Sequence, residues 1–158
     1  PDMHRFVLLC AYAGLRRLEA VNARWEWFDF GTGTIAIMEH EGFKLKDSAE
    51  RTLPMHRKIR EALEPYAEAE GYLFKPDYEG GIYKYRWEPR KALATIVENS
   101  GIGRNVTPQH LRISFGSLCV QANVSVYKVA EWMGHSDIKT TRAHYAGLMG
   151  ADPDIDKI

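Results

Sequence analysis

Apolar residues recur at helical spacing through the first 25 positions, with Phe6, Val7, Leu9, Cys10, Ala13 and Val21 on one stripe. The pattern predicts helix from Met3 to about Trp25, interrupted at Gly14. A turn is expected at Gly31-Thr32-Gly33. Three short runs then read as strands: Thr34 to Met38, Phe43 to Lys46 and Arg51 to Met55. His56 to Glu70 is a charged amphipathic helix closed by Gly71, and residues 71–86, rich in Gly, Tyr and Pro, read as a long connection. Helix resumes from Trp87 to Asn99 and ends at Ser100-Gly101-Ile102-Gly103. The last third holds three helices. One opens at Thr107-Pro108, an N-cap followed by proline at the first helical position. The second runs from Ser125 to Trp132 and stops before Gly134, and the third starts after Ser136-Asp137 and carries Tyr145. Leu8, Leu9, Ile96, Val97, Leu118 and Trp132 are assigned to the core, while Trp25 and Trp27 fit either the core or a partner-facing surface. The expected fold is α+β and mostly helical, with a small three-stranded antiparallel sheet towards the N-terminal side.

Bulk properties narrow the class. A chain of 158 residues is the size of one domain, and 45% hydrophobic with 27% charged residues is ordinary for a soluble globular protein. No apolar run is long enough to span a membrane. No signal peptide opens the chain, because Pro1 to Glu19 already reads as helix; the missing initiator Met suggests a piece of a longer protein. Cys10 and Cys119 lie in apolar helical patterns and read as buried free thiols of a reducing cytoplasm. Twenty-one basic residues balance twenty-one acidic ones, so net charge alone argues mildly against nucleic acid. Phosphate contacts depend on where Lys and Arg sit, and the motifs must decide.

Four short patterns occur in order: Gly14-Leu15-Arg16-Arg17-Leu18-Glu19; Lys44-Leu45-Lys46-Asp47 running on to Arg51-Thr52-Leu53-Pro54; Thr107-Pro108-Gln109-His110-Leu111-Arg112; and Gly134-His135-Ser136-Asp137-Ile138-Lys139-Thr140-Thr141 with Tyr145 four residues beyond. Together they can cleave a phosphodiester without a metal. A tyrosine hydroxyl, with an ordinary pKa near ~10, needs a base or a strong positive field to attack. Arg16 and Arg112 can supply that field, because a guanidinium fork fits two phosphate oxygens and stays charged. Two such forks offset the charge that builds during in-line displacement. Lys46 can protonate the departing oxygen, and His135 can donate to the phosphate. Gln109 and Arg112, three residues apart, share a helix face near the helix N-terminus.

As a set, these residues resemble the tyrosine recombinase (phage integrase) family, from Gly14 to Tyr145. The Gly-His-Ser-Asp-Ile-Lys-Thr-Thr…Tyr stretch is the most specific part. The resemblance implies that Arg16 and Arg112 clamp the phosphate, Lys46 is a general acid carried on the sheet, His135 is the later histidine and Tyr145 is the nucleophile. Glu19, one turn after Arg16, would hold its guanidinium. It implies a domain that cuts one DNA strand through a 3′-phosphotyrosine and reseals it to a new partner, with no cofactor and no metal. It also implies double-stranded DNA and further recombinase protomers (a tetramer on DNA) as partners, no membrane, a cytoplasmic, nucleoid-associated location, a phage or mobile-element setting, and a separate N-terminal DNA-clamping domain outside this chain. Residues 1–158 would then be one catalytic domain.

The third pattern departs from the family form, which is His-x-x-Arg with a second histidine often following. Here Gln109 takes the histidine position, His110 falls one residue late and Ile113 follows Arg112. One residue is about a 100° rotation on a helix, so His110 is expected to point elsewhere. Glutamine can donate a hydrogen bond to phosphate but cannot take a proton near pH 7. Each residue alone also has a plain structural reading: a core tyrosine, a surface ion pair at Arg16 and Glu19, solvated edge lysines at 44 and 46, a structural Arg51, a helix-end His135. A metal site from His110, His135 and His144 follows no standard ligand spacing. Four patterns in the family's order outweigh these readings. Gln109 and the zero net charge favour the alternative, a catalytically silent DNA-binding domain of the same fold; the intact Arg16, Lys46, Arg112, His135 and Tyr145 favour an enzyme. A type IB topoisomerase shares the chemistry, and the closing Gly-His-Ser pattern favours a recombinase over it.

Overall fold

The computed structural model describes residues 2–46, 50–74 and 88–148. Among these are seven α-helices: α1 Asp2–Tyr12, α2 Arg17–Val21, α3 Arg57–Leu63, α4 Pro89–Asn99, α5 Pro108–Gln121, α6 Val126–Met133 and α7 Ile138–Tyr145. One antiparallel sheet has the order β1 (Phe28–Asp29), β2 (Thr34–Ile37) and β3 (Arg51–Pro54). The α1 helix is central: it buries Phe6, Leu8, Leu9 and Cys10 and packs on α5, α3, α2 and α4. Helix α6 bridges α5 and α7 and also touches β3, which brings the sheet beside the C-terminal helices. The expected break at Gly14 is present, and that residue takes a left-handed φ of 63° between α1 and α2.

The sheet differs from the sequence reading in one strand. Phe43 to Lys46 is no strand; its one ladder contact is an isolated bridge from Phe43 to His40. Phe43 and Leu45 are buried while Lys44 and Lys46 are exposed, so the segment alternates like a strand without a partner to pair with. The third strand is instead Phe28–Asp29, in register with Ile35 and Thr34. Its turn is tied by Asp29, whose carboxylate accepts from Thr32 N at 2.9 Å and whose carbonyl accepts from Gly33 N at 2.9 Å. Two residues are too few to show a period in the sequence.

Other boundaries also moved. The helix expected over His56 to Glu70 ends at Leu63, followed by a 3₁₀ turn, Glu64–Tyr66, so Gly71 does not close it. Helix α4 starts at Pro89, capped by the Glu88 carboxylate; residues 75–87, with most of the expected connection and Trp87, lie outside the described residues. Ile96 and Leu118 are 50% and 48% exposed, against their assignment to the core; Leu93 is the buried apolar residue of α4. Val97 and Trp132 are half-buried. Trp25 and Trp27 are core residues, and Cys10 and Cys119 are free thiols.

Candidate active site

The end of α6 organises the site. Gly134, with φ of 63°, is its left-handed C-terminal residue, and His135 N bonds back to Ala130 O at 2.9 Å. A helix end still leaves carbonyls without intrahelical partners. Three arginines donate to them: Arg51 Nε to Trp132 O at 2.8 Å, Arg112 Nη2 to Met133 O, and Arg16 Nη2 to Gly134 O at 2.6 Å. Arg112 also donates to Gly14 O through Nη1, which ties α5 to the break between α1 and α2. Cations are favoured at this end of a helix dipole. So the chain gathers guanidinium groups here from three distant stretches of sequence.

Glu19 is the counter-charge. It is 2% exposed and accepts from Arg16 N at 2.7 Å, Arg16 Nη1 at 2.9 Å, Arg51 Nη1 at 3.1 Å and Arg51 Nη2 at 2.7 Å. These bonds fill the acceptor capacity of a carboxylate. Burial pushes the carboxyl pKa up, but the bonds to Arg51 and Arg16 outweigh it and hold the pKa below its ordinary value.

Beside this cluster opens a pocket of about 630 Å³. Arg16, Glu19, Lys46, Gln109, Arg112 and His135 all line it, joined by Arg17, Lys44, Thr140 and His144. Five of the lining side chains are Lys or Arg and one is acidic, so a chain with no net charge still presents a cationic pocket. Lys44 is held by Glu39 at 2.8 Å. Lys46 makes no hydrogen bond or ion pair among the described residues, and it stands on the β2–β3 connection, anchored there by buried Phe43 and Leu45, and not on a strand. Gln109 opens into the pocket from the first turn of α5. His110 turns away from it; its ring accepts from Thr107 N at 3.2 Å while its own N donates to Thr107 Oγ1 at 3.2 Å, a reciprocal cap of α5.

Two groups carry shifted acidities. Burial, then the charges of Arg112 and Arg16, push His135 down to about 4, so its imidazole is neutral near pH 7. Its Nδ1 lies 2.6 Å from Thr141 Oγ1 on α7. Burial and then Arg16 lower Arg112 to about 10, which leaves it charged.

Tyr145 does not line the pocket. It is 1% exposed, and its hydroxyl lies 3.4 Å from Ile113 O and 3.6 Å from Met133 Sδ, over Gly116 of α5. A Cβ at Gly116 would fall 2.1 Å from that oxygen, so glycine makes the seat. Burial raises the phenol pKa. The pocket-facing residue of the last turn of α7 is His144, which the sequence reading considered only as a metal ligand. Arg51 was read there as purely structural, because nothing local marks a residue that meets Glu19 across 32 positions.

A model of the phage integrase family matches residues 3–149. Tyrosine recombinase XerC of Pseudomonas fluorescens is 31% identical over 137 residues, covering 83% of this chain and 43% of the relative. XerC of Xylella fastidiosa is 26% identical, over 84% of this chain and 44% of that protein. The chain thus spans less than half the length of these relatives. The solved catalytic domain of bacteriophage HP1 integrase shares the fold, with a TM-score of 0.69 at 20% identity over 99% of this chain and 79% of that one. XerH site-specific recombinase, bound to its difH substrate, matches with a TM-score of 0.66 at 20% identity, over 92% and 42% of the two chains. Fold, motif order and family model agree: the chain belongs to the phage integrase family.

Proposed function

We propose that this chain is the catalytic domain of a tyrosine-type site-specific recombinase, which breaks and rejoins double-stranded DNA. The observation that carries the reading is one cationic pocket collecting Arg16, Lys46, Gln109, Arg112 and His135, with Tyr145 on the adjoining helix turn. The Tyr145 oxygen attacks the scissile phosphorus and forms a 3′-phosphotyrosine. The 5′-oxygen leaves and takes a proton from Lys46. Arg16 and Arg112 face the non-bridging oxygens, Arg16 already fastened to Glu19 and Gly134 O and Arg112 to Gly14 O and Met133 O, so little reorganisation is needed as charge builds. Gln109 donates an amide N–H to the same oxygens, and neutral His135 has a lone pair to take the phenol proton. Attack by a free 5′-hydroxyl on the phosphotyrosine reverses the steps and seals the new joint.

The buried phenol adds a requirement: the last turn of α7 must leave its seat on Gly116 before Tyr145 reaches the pocket. Residues 1–158 act as one catalytic unit, with DNA and further protomers as partners in a cytoplasmic, nucleoid-bound assembly, and no helix among the described residues is long and apolar enough to cross a membrane. A phage or mobile-element origin is part of the same reading. The test is a nicked suicide duplex that traps the covalent complex. Wild type forms a protein–DNA band that Tyr145→Phe does not; no band with wild type at saturating DNA refutes the proposal and leaves a silent DNA-binding domain.

A further inference from the structure

Arg51 does not line the pocket, yet its side chain is 4% exposed beside a carboxylate that is 3% exposed. A buried ion pair is weak evidence for stability, because desolvation cancels most of its attraction and an apolar pair of equal volume does as well. Its partners suggest another use. Arg51 holds both oxygens of Glu19 with Nη1 and Nη2, and holds the end of α6 through Trp132 O. Glu19 in turn fixes Arg16 by its backbone N and by Nη1, and Arg16 returns to α6 through Gly134 O. The bonds close a ring from β3 to α2 to the pocket arginine to the α6 end and back to β3. The two positions that the ring fixes are Arg16 and the Gly134-His135 turn, and both belong to the pocket. A Cβ on Gly134 would lie 3.0 Å from Arg51 Nη1, so the guanidinium packs directly under that turn.

We infer that Arg51 is a positioning residue for strand cleavage: through Glu19 and Trp132 it sets Arg16 and His135 in register for the scissile phosphate. This rests on the recombinase reading. Lysine replaces it only in part, since one ammonium cannot span two carboxylate oxygens and a carbonyl in a plane. The charged groups that bear on Glu19 and His135 are Arg16, Arg51 of β3, Arg112 of α5 and His144 of α7, with the Cys10 thiol of α1 also near Glu19.

The experiment compares wild type, Arg51→Lys, Arg51→Met and the double variant Arg51→Met/Glu19→Gln in single-turnover formation of the covalent DNA complex, across pH, with DNA binding measured separately. Misplacement of catalytic groups by about 1 Å costs roughly 10²-fold in rate, so Arg51→Met is expected to cleave about that much more slowly while DNA affinity stays within about threefold. Its acid limb moves to higher pH, because Glu19 loses the bonds that hold its pKa down; the double variant loses that limb and stays slow. Arg51→Lys is intermediate. If Arg51→Met fails to fold, Arg51→Lys, which keeps a buried cation beside Glu19, carries the rate measurement. The second readout is the NMR titration of His135 in Arg51→Lys, which keeps the positive charge that itself lowers the imidazole, so a move from about 4 towards the ordinary value reports a displaced ring. Folded Arg51 variants with wild-type rate, pH profile and His135 titration overturn the inference. Should wild type itself form no adduct, the recombinase reading falls first, and the His135 titration of Arg51→Lys still decides whether Arg51 positions the pocket.

Discussion

On one side of the pocket, three arginines are fastened by charge-assisted bonds to the last carbonyls of α6 and to Glu19. On the other side, Tyr145 sits in an apolar seat with a hydroxyl bonded only at 3.4 Å and longer. The first half is rigid and aimed; the second is held by packing and faces away. A phosphate binder gains from donors fixed in advance, because their alignment costs nothing during the reaction. A nucleophile that forms a covalent bond to DNA gains from being withheld until the substrate is in place. The difference shows that burial means opposite things in the two halves. On the proposed mechanism, burial around Arg112 builds the site and burial around Tyr145 stores the reagent.

The largest effects separate the halves. Arg112→Ala strips donors from the buried Gly14 and Met133 carbonyls, and each unsatisfied group costs about 1–3 kcal/mol. That variant is expected to lose covalent attachment and about 2–5 kcal/mol of stability together. Tyr145→Phe loses attachment as completely, but keeps the ring in its seat and forfeits only a long, weak bond, so stability changes by less than about 1 kcal/mol. Urea melts alongside the adduct assay check both, and a large loss of stability in Tyr145→Phe would erase the contrast.

The next effects test the pocket rim. Lys46→Ala is expected to slow cleavage by about 10² to 10⁴, the usual worth of a general acid. A substrate with sulfur at the leaving 5′-position needs no acid and restores Lys46→Ala, while Arg112→Ala stays inactive. Lys44 is paired with Glu39 and its variant is expected to cleave near the wild-type rate. Rescue of Lys44→Ala alone would reverse the assignment. Gln109→Ala removes one preorganised donor and is expected to cost about 10² to 10³ in rate. Gln109→His stays active and gains a pH dependence near ~6.5 from the new imidazole.

How much of this was legible in the chain follows the range of each interaction. Thr107-Pro108 marked the start of α5, and with it the faces of Gln109 and His110, because capping and helical rotation are local. Gly134 marked the end of α6 for the same reason. The site patterns were legible as a resemblance and their convergence on one pocket is a matter of tertiary structure. Phe43 to Lys46 misled because alternating burial arises in any extended segment whose two sides meet core and solvent. Ile96 and Leu118 misled because an apolar position on a helix says nothing of what lies opposite. The seat of Tyr145 depends on Gly116, and the role of Arg51 on Glu19, contacts across 29 and 32 positions that no spacing in the sequence announces.

The rigid half has a signature in acid. His135 titrates at about 4 in the folded chain, below the ordinary ~6.5 of the unfolded one. Between those values the unfolded chain binds more protons, so the contribution is fully present above about pH 6.5 and lost as pH falls towards 4. At about 1.4 kcal/mol per unit, and discounted for partial solvent screening, the loss is about 2 kcal/mol. Urea melts at pH 7.5 and 5 are expected to show a little over half of that loss, about 1 kcal/mol, in wild type and much less of it in His135→Asn. Equal acid losses in the two would place the proton uptake elsewhere in the site.

The smallest effect concerns His110, and it sharpens the comparison at single-residue resolution. Its ring faces the cap at Thr107 and a groove beside Arg104 and Leu111, outside the cationic pocket. Its work there is to satisfy one backbone N–H at the start of α5, in exchange for the Thr107 hydroxyl that satisfies its own. Losing half of such a capping box costs about 0.5–2 kcal/mol of stability. The first turn of α5 would loosen slightly, but Gln109 stays on the pocket face, because Arg112 fixes the rotation of the helix through Gly14 and Met133. His110→Ala is therefore expected to melt a few degrees lower and to cleave within about threefold of wild type when saturated with DNA. The reverse outcome, full stability with cleavage lost, would mean that α5 turns by one residue on binding DNA and that His110 replaces Gln109 against the phosphate.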